Sequence, residues 1–133
     1  MTTPPGGRPL YRRRHRLTHA NEFRAVYSAR LKQVRGPLVV FAMENGLGHA
    51  RLGLSVGRRV GGAVVRNAIK RRLRHAFAEL AARWPDDRPG LDLVIVVRPH
   101  AARRTPAYEA ALESAVDRLA STVRGRRAKG GGA

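Results

Sequence analysis

Five polar side chains in the segment RNAIKRRLR are spaced so that one face of a helix would carry them together. They are Arg66, Asn67, Lys70, Arg71 and Arg74. At about 100° per residue, their spacing places all five in one arc of a helical wheel. Guanidinium and ammonium groups bind phosphate oxygens, so this arc predicts the binding of a polyanion.

The ordinary alternative for such an arc is a solvated helix face. Solvated faces usually mix charges, with Glu and Lys paired at i, i+4. Here the first acidic residue after Arg66 is Glu79, so the cations would repel one another without an anionic partner. The adjoining arc holds the expected core residues Val65, Ile69, Leu73, Ala76, Phe77 and Leu80. A nucleic acid therefore fits the cationic arc better than a membrane, because the apolar arc is already needed as core.

Catalysis by the chain itself would require other residues at other spacings. A metal-dependent nuclease needs convergent carboxylates, and general acid–base cleavage needs paired histidines. The nine acidic residues are dispersed along the chain, and the five histidines show no recognisable spacing. We therefore assign no catalytic residue, no metal ligand and no cofactor to the protein. Each histidine is expected to lie at the surface or to make a minor nucleic-acid contact.

The overall charge also points to a polyanionic partner. The chain has 27 Lys and Arg against 9 Asp and Glu, a formal net charge of +18. A GC-rich genome would favour arginine codons, but it does not explain so large an excess over acidic residues. There is no cysteine for disulfide or thiolate chemistry. Residues 1–16 lack the apolar region of a secretory signal, and no apolar run is long enough to span a bilayer, so a cytoplasmic protein is expected.

Alternating helix and strand patterns predict one α+β domain between two basic arms. The predicted helices run from about Ala20 to Arg30, from Gly62 to Arg83, and onward from Thr105. Thr18 is the expected cap of the first helix. The predicted strands are 37–43, 51–56 and 93–97. The last helix is expected to bury Tyr108, Ala111, Leu112, Ala115 and Leu119. Residues 1–16 and 124–133 are expected to be flexible arms around a domain at 17–123.

The segment RLGLSVGRRVGGAVVRNAIKRRLRHAF, residues 51–77, closely resembles the signature of the bacterial ribonuclease P protein subunit. The resemblance extends to RLTHANEFRAVYSAR at 16–30, GPLVVFAM at 36–43 and LDLVIVVRP at 91–99. It implies a small α+β domain with a central mixed sheet, about three helices and a left-handed βαβ crossover. That handedness is an exception to the usual right-handed rule.

The resemblance also implies a function as the non-catalytic subunit of an endoribonuclease. In this family a large RNA subunit uses magnesium to remove the 5′ leader from precursor tRNA. The protein binds that RNA and the 5′ leader. The implied partners are therefore ribonuclease P RNA and precursor tRNA, with one protein monomer per RNA. A structural RNA-binding protein of ribosomal type would share the composition and remains the alternative. The identity of the RNA that co-purifies would separate the two.

Two sets of contact residues follow from the resemblance. The implied contacts to the RNA subunit are Arg58, Arg59, Arg66, Asn67, Lys70, Arg71 and Arg74. The implied leader contacts are Phe23, Tyr27 and Phe41, whose rings can stack on unpaired bases. From spacing alone, Phe23 and Tyr27 would also fit ordinary core packing. Ala68 stands where the family commonly has the last residue of Arg-Asn-Arg, and we expect weakened rather than lost contact there.

Overall fold

A four-stranded mixed sheet forms the centre of the molecule. The computed structural model describes the backbone of residues 11–131 and the side chains of residues 11–127. The strands are β1 Leu31–Arg35, β2 Leu38–Glu44, β3 Arg51–Val56 and β4 Leu91–Val97. Their order is β1-β2-β4-β3, in which β3 runs parallel to β4 and the other neighbours are antiparallel. β1 and β3 are therefore the edge strands.

Three helices cover the two faces of this sheet. They are α1 Ala20–Ser28, α2 Ala63–Ala82 and α3 Thr105–Gly131. α1 packs on one face around Val26 and Val94, whereas α2 and α3 pack on the other face and bury Phe77, Ile95 and Leu112. The two faces are separate because successive side chains of a strand point to opposite sides. The predicted α+β class with a mixed sheet and three helices is confirmed.

The elements with the strongest hydrophobic patterns lie close to their predicted positions. β3 has the predicted bounds, and α2 differs by one residue at each end because Gly62 and Arg83 are its caps. β2 is displaced by one residue from the prediction, and β4 begins two residues earlier. The predicted face of α3 is buried except at Ala111, which is half-buried. No helix within residues 11–131 combines the length and the apolar character needed to cross a bilayer.

Strand β1 was not predicted, because its sequence LKQVR lacks a hydrophobic pattern. Of its five residues only Leu31 is buried, as suits an edge strand with one face toward solvent. Arg30 and Gly36 flank the strand with φ values of 56° and 57°. These left-handed residues turn the chain into and out of β1, so the strand is set by its pairing with β2 rather than by its own side chains.

The prediction that Thr18 caps α1 is wrong. The cap position is His19, and the Glu22 carboxylate accepts the backbone N–H groups of Thr18 and His19, each at 3.0 Å. A carboxylate in the first turn accepts hydrogen bonds from backbone N–H groups that have no partner within the helix. Its negative charge also interacts favourably with the positive end of the helix dipole. The helix ends at Ser28 rather than at Arg30, because Arg30 adopts the left-handed conformation.

β3, α2 and β4 form a parallel βαβ unit, as the family resemblance implies. The strands lie side by side in the sheet, and α2 crosses between them on the face shared with α3. This unit holds the segment that carries the family signature. Its left-handedness stays a prediction.

Parts of both predicted arms lie within the described residues. Residues 1–10 lie outside the described part, but Arg13–His15 form a 3-10 helix, His15 is 6% exposed, and the Leu17 N–H donates to the Leu52 carbonyl at 2.9 Å. At the other end α3 continues to Gly131, where the sequence predicts a tail from Arg124. Along this continued part, Arg124 forms an ion pair with Asp87 and Arg127 one with Glu44. The domain limits at 17 and 123 remain predictions.

Candidate nucleic-acid interface

The predicted cationic arc is one continuous face of α2. We call Arg66, Asn67, Lys70, Arg71 and Arg74 the cationic face. Asn67, Arg71 and Arg74 are exposed, whereas Arg66 and Lys70 are half-buried. None of these side chains forms an ion pair with a carboxylate among the described residues. The cations of this face are therefore available to bind an external anion.

The opposite side of α2 forms the core, with one exception. Ile69, Leu73 and Phe77 are fully buried, but Val65 is 40% exposed, so its predicted core position is wrong. Val65 lies in the first turn of the helix, before α2 reaches the sheet. It packs instead on the turn at Gly61, where a Cβ atom would come within 2.9 Å of Val65 Cγ1.

Arg58 and Arg59 lie in the turn that leads into α2. Together with Val60 they form a 3-10 helix, in which Val60 is buried and both arginines are exposed. Val60 thus anchors the turn to the core. The two guanidinium groups remain available to solvent just before the cationic face begins.

The three aromatic residues named from the sequence lie together on the α1 face of the sheet. The rings of Tyr27 and Phe41 meet edge to face, with centroids 5.0 Å apart, and Phe23 packs into the same cluster. All three are half-buried. The three residues pack against the core on this face, and each keeps part of its surface exposed to solvent. Their role as leader contacts stays a prediction. We call these three residues the aromatic row.

A cavity of about 280 Å³ joins the aromatic row to the cationic face. It lies at edge strand β3, and its lining residues include Tyr11, Arg16, Phe23, Leu54, Lys70 and Arg74. Phe23 comes from the aromatic row, while Lys70 and Arg74 come from the cationic face. The cavity therefore places a ring that can stack on a base next to two cations that can bind phosphates.

Tyr11 and Arg16 are two residues of this cavity that sequence reasoning missed. The Arg16 guanidinium carbon lies 5.3 Å from the centroid of the Tyr11 ring, and the Tyr11 hydroxyl donates to the Leu52 carbonyl at 3.2 Å. Burial raises the pKa of Tyr11, so the hydroxyl stays protonated as this bond requires. The available signal was an aromatic residue at the start of an arginine run, directly before the first helix.

The histidines do not all behave as expected. His15 is buried, and its Nδ1 accepts the Arg12 N–H at 3.0 Å, so the expectation that every histidine lies at the surface is wrong. Burial lowers the pKa of His15 to about 4, so the ring is neutral near pH 7. The His100 ring contacts the Tyr108 hydroxyl at 2.7 Å. Both rings serve the packing of the chain.

Two of the nine carboxylates do approach each other, but around a guanidinium. Arg51 binds Asp92 through two hydrogen bonds of 2.7 and 2.8 Å and also contacts Glu22 at 3.3 Å. Asn45 donates a further bond to Asp92. Across residues 11–127, no group of three or more potential metal-ligating side chains is found. This network ties the first turn of α1 to β3 and β4 and so positions the aromatic row.

The part of the chain that carries both surfaces also matches a known protein family. A family model described as Ribonuclease P matches residues 11–121, which include both the aromatic row and the cationic face. The chain belongs to the ribonuclease P protein family. A ribonuclease P protein component from Lactiplantibacillus plantarum is 33% identical over 110 residues, covering 82% of this chain and 94% of that protein.

Two further ribonuclease P proteins resemble this chain. A protein component from Streptococcus mutans is 44% identical over 66 residues, which are 50% of this chain and 56% of that protein. The solved RNase P protein of Staphylococcus aureus has a TM-score of 0.66 at 27% identity, covering 77% of this chain and 93% of that one. Membership of the family makes the chain a non-catalytic protein subunit of bacterial ribonuclease P, and RNA binding and precursor-tRNA processing follow from it.

Proposed function

We propose that the two surfaces bind two different RNAs in one complex. The cationic face, with Arg58 and Arg59, binds the ribonuclease P RNA, and the aromatic row binds the 5′ leader of precursor tRNA. One copy of the chain acts with one RNA in the cytoplasm, and the RNA subunit uses the magnesium. The observation that carries this proposal is the cavity at β3, which Phe23 lines together with Lys70 and Arg74.

The cationic face is suited to a folded RNA because it offers charge without competing carboxylates. Docking a substrate on an RNA subunit brings phosphates close together, and their repulsion opposes binding. Arginines placed between the two RNAs reduce that repulsion and release counterions from both. The protein would thereby lower the magnesium concentration that cleavage requires.

The aromatic row is suited to an unpaired leader because stacking does not depend on sequence. Every base has a π-face, and stacking on an aromatic side chain is worth about 1–3 kcal/mol per base. Edge-to-face packing of Tyr27 on Phe41 holds both rings in place before RNA arrives. Less ordering is then needed on binding.

Ala68 marks where this chain departs from the usual family signature. It is half-buried, whereas Asn67 beside it is exposed. The Arg66, Lys70 and Arg74 side chains are all present, so the cationic face keeps its length along the helix. We expect contact with the RNA subunit to be weakened at this position and retained elsewhere.

Leader binding is tested with precursor tRNAs that carry long and short leaders. Phe23→Leu and Tyr27→Leu keep apolar packing but remove the ring, and should weaken long-leader binding by about 1–3 kcal/mol per stacked base. Trp84→Leu is a matched control, because Trp84 is a half-buried aromatic that stacks with Arg88 away from the row. Equal losses for long and short leaders would show that the rings only support the core.

A further inference from the structure

Helix α3 continues beyond the part of the chain that the family model matches. The match ends at residue 121, whereas the helix continues to Gly131. We call residues 122–131 the α3 extension. It carries three arginines and one lysine and has no acidic residue. The family match therefore assigns no role to a strongly basic helical segment.

The α3 extension borders a cavity of about 300 Å³ at the β1 edge of the sheet. Its apolar lining includes Leu31, Ala42, Met43 and Val123, and its charged lining is Glu44, Arg126 and Arg127. Both arginines are exposed. A base or ribose could thus enter an apolar site whose rim offers guanidinium groups.

The aromatic row leads to this cavity. In the sheet register Gly53 lies opposite Val94, Val94 opposite Phe41, and Phe41 opposite Lys32, so these four residues form a line from β3 to β1. Phe23 packs over Gly53 at the start of that line. The Lys32 ammonium lies 5.7 Å from the Phe41 ring centroid at its far end.

Met43 connects the line to the second cavity. It packs in the same cluster as Phe23, Tyr27 and Phe41, and it also lines the cavity beside Arg126. Leu31, Ala42 and Val123 of the cavity belong to the core on the other face of the sheet, so Met43 marks the place where the two faces meet at the edge. A strand that crosses the aromatic row from the β3 edge would pass round the β1 edge beside Met43 to reach the α3 extension.

We propose that the α3 extension binds the phosphates of leader nucleotides that lie upstream of those stacked on the aromatic row. This inference rests on the proposed leader-binding function. Arginine binds phosphate through two parallel hydrogen bonds, and the two guanidinium groups at the cavity rim can each form such a bidentate contact. The extension thus lengthens the leader contact of this chain beyond the surface that the family model covers.

Glu44 regulates the strength of this contact. Its carboxylate pairs with Arg127, and both lie at the rim of the cavity. An arriving phosphate must compete with this carboxylate for the guanidinium. Removing the carboxylate charge should therefore strengthen binding of long leaders, which is a change opposite in sign to that of removing the arginines.

The test measures the affinity of the assembled holoenzyme for precursor tRNAs whose leaders lengthen by one nucleotide at a time. Wild-type affinity should rise in two stages, first on the aromatic row and then on the α3 extension. Arg126→Gln with Arg127→Gln should abolish only the second stage. The affinity for long leaders should then fall by about fivefold or more at low salt. Glu44→Gln should enlarge it. Glutamine keeps a good helix propensity, and thermal unfolding checks that the variants remain folded.

Arg104→Gln with Arg118→Gln is the matched control, because it removes the same charge from exposed positions outside the cavity. Loss at every leader length in the Arg126 and Arg127 variant, or equal loss in the control, would overturn the inference in favour of general charge attraction. A wild-type profile without a second stage would overturn it too. Failure of the leader-binding function appears separately, as a first stage that Phe23→Leu leaves unchanged.

Discussion

The ring of Phe23 lies directly against the backbone of Gly53. A Cβ atom at position 53 would come within 2.5 Å of the ring Cζ, closer than any side chain tolerates. Gly53 is therefore required by the contact between α1 and β3 rather than by its own backbone conformation. The glycine allows a residue of the aromatic row to approach the centre of an edge strand.

Gly53→Ala should displace the Phe23 ring and leave the fold intact. The nearest atoms are at the far end of a side chain that can swing away, so we expect a destabilisation of about 1–3 kcal/mol from overpacking. Leader binding should fall together with stability, because the ring leaves its position beside the cavity. Ser55→Ala, on the same strand, is the control. Unchanged leader affinity in Gly53→Ala would separate this contact from RNA binding.

Arg71→Ala with Arg74→Ala should weaken binding of the RNA subunit and flatten its salt dependence. Each lost phosphate contact reduces the slope of log K against log salt by about 0.7–0.9. The measurement is a binding titration over a series of salt concentrations. Arg83→Ala with Arg118→Ala removes equal charge from exposed positions outside the cationic face. An unchanged slope in the Arg71 and Arg74 variant would argue against this face as the RNA contact.

Arg51→Met should strongly destabilise the protein. Asp92 is 1% exposed and would lose the two hydrogen bonds of the guanidinium, keeping only that of Asn45. Breaking a buried pair from one side costs about 3–5 kcal/mol, measured by denaturant unfolding. Arg51→Met combined with Asp92→Leu should recover part of this loss, since no buried charge remains. If Arg51→Met alone were as stable as wild type, the network would not be what holds α1 against the sheet.

His15 should make the stability depend on pH between about 4 and 6.5. Its folded pKa is lowered to about 4 from 6.5, first by burial and then by Arg14, His49 and Arg12. Between these pH values His15 binds a proton in the unfolded chain but not in the folded chain. The free energy of unfolding is therefore highest above pH 6.5 and falls as the pH is lowered toward 4. The loss amounts to about 3 kcal/mol at most.

Unfolding free energies of wild type and His15→Asn measure this effect. The variant should lack the decline across that window, although carboxylates such as Glu22, whose pKa is lowered by the His19 and Thr18 N–H groups, still destabilise both proteins at lower pH. Equal slopes for the two proteins between pH 4 and 6.5 would contradict a buried neutral His15.

Prediction from sequence succeeded where a local pattern decided the structure. α2 and β3 could be predicted closely because their side chains alternate between core and solvent with the period of a helix or a strand. The grouping of Phe23, Tyr27 and Phe41 came from the family resemblance, since spacing alone could not bring a strand residue to a helix. β1 could not be predicted because its pairing with β2, not its composition, makes it a strand.

Long-range packing explains the remaining differences. Tyr11 and Arg16 reach the cavity because the segment before α1 lies along the free edge of β3, a contact that no local pattern shows. His15 is buried for the same reason, against Phe77 of α2. Beyond Val123, Arg124 and Arg127 of α3 form ion pairs with Asp87 and Glu44, which lie in distant parts of the chain and which no local pattern shows.

Cleavage of precursor tRNA at low, near-physiological magnesium is the measurement that decides whether this chain acts as the protein subunit of ribonuclease P. The reactions contain a bacterial ribonuclease P RNA alone, this protein alone, or both together. We expect cleavage at the mature 5′ end only in the mixture, because the proposed role of the protein is to supply charge and leader contacts while the RNA supplies the chemistry. Cleavage by the protein alone, or a mixture no more active than the RNA alone, would contradict it.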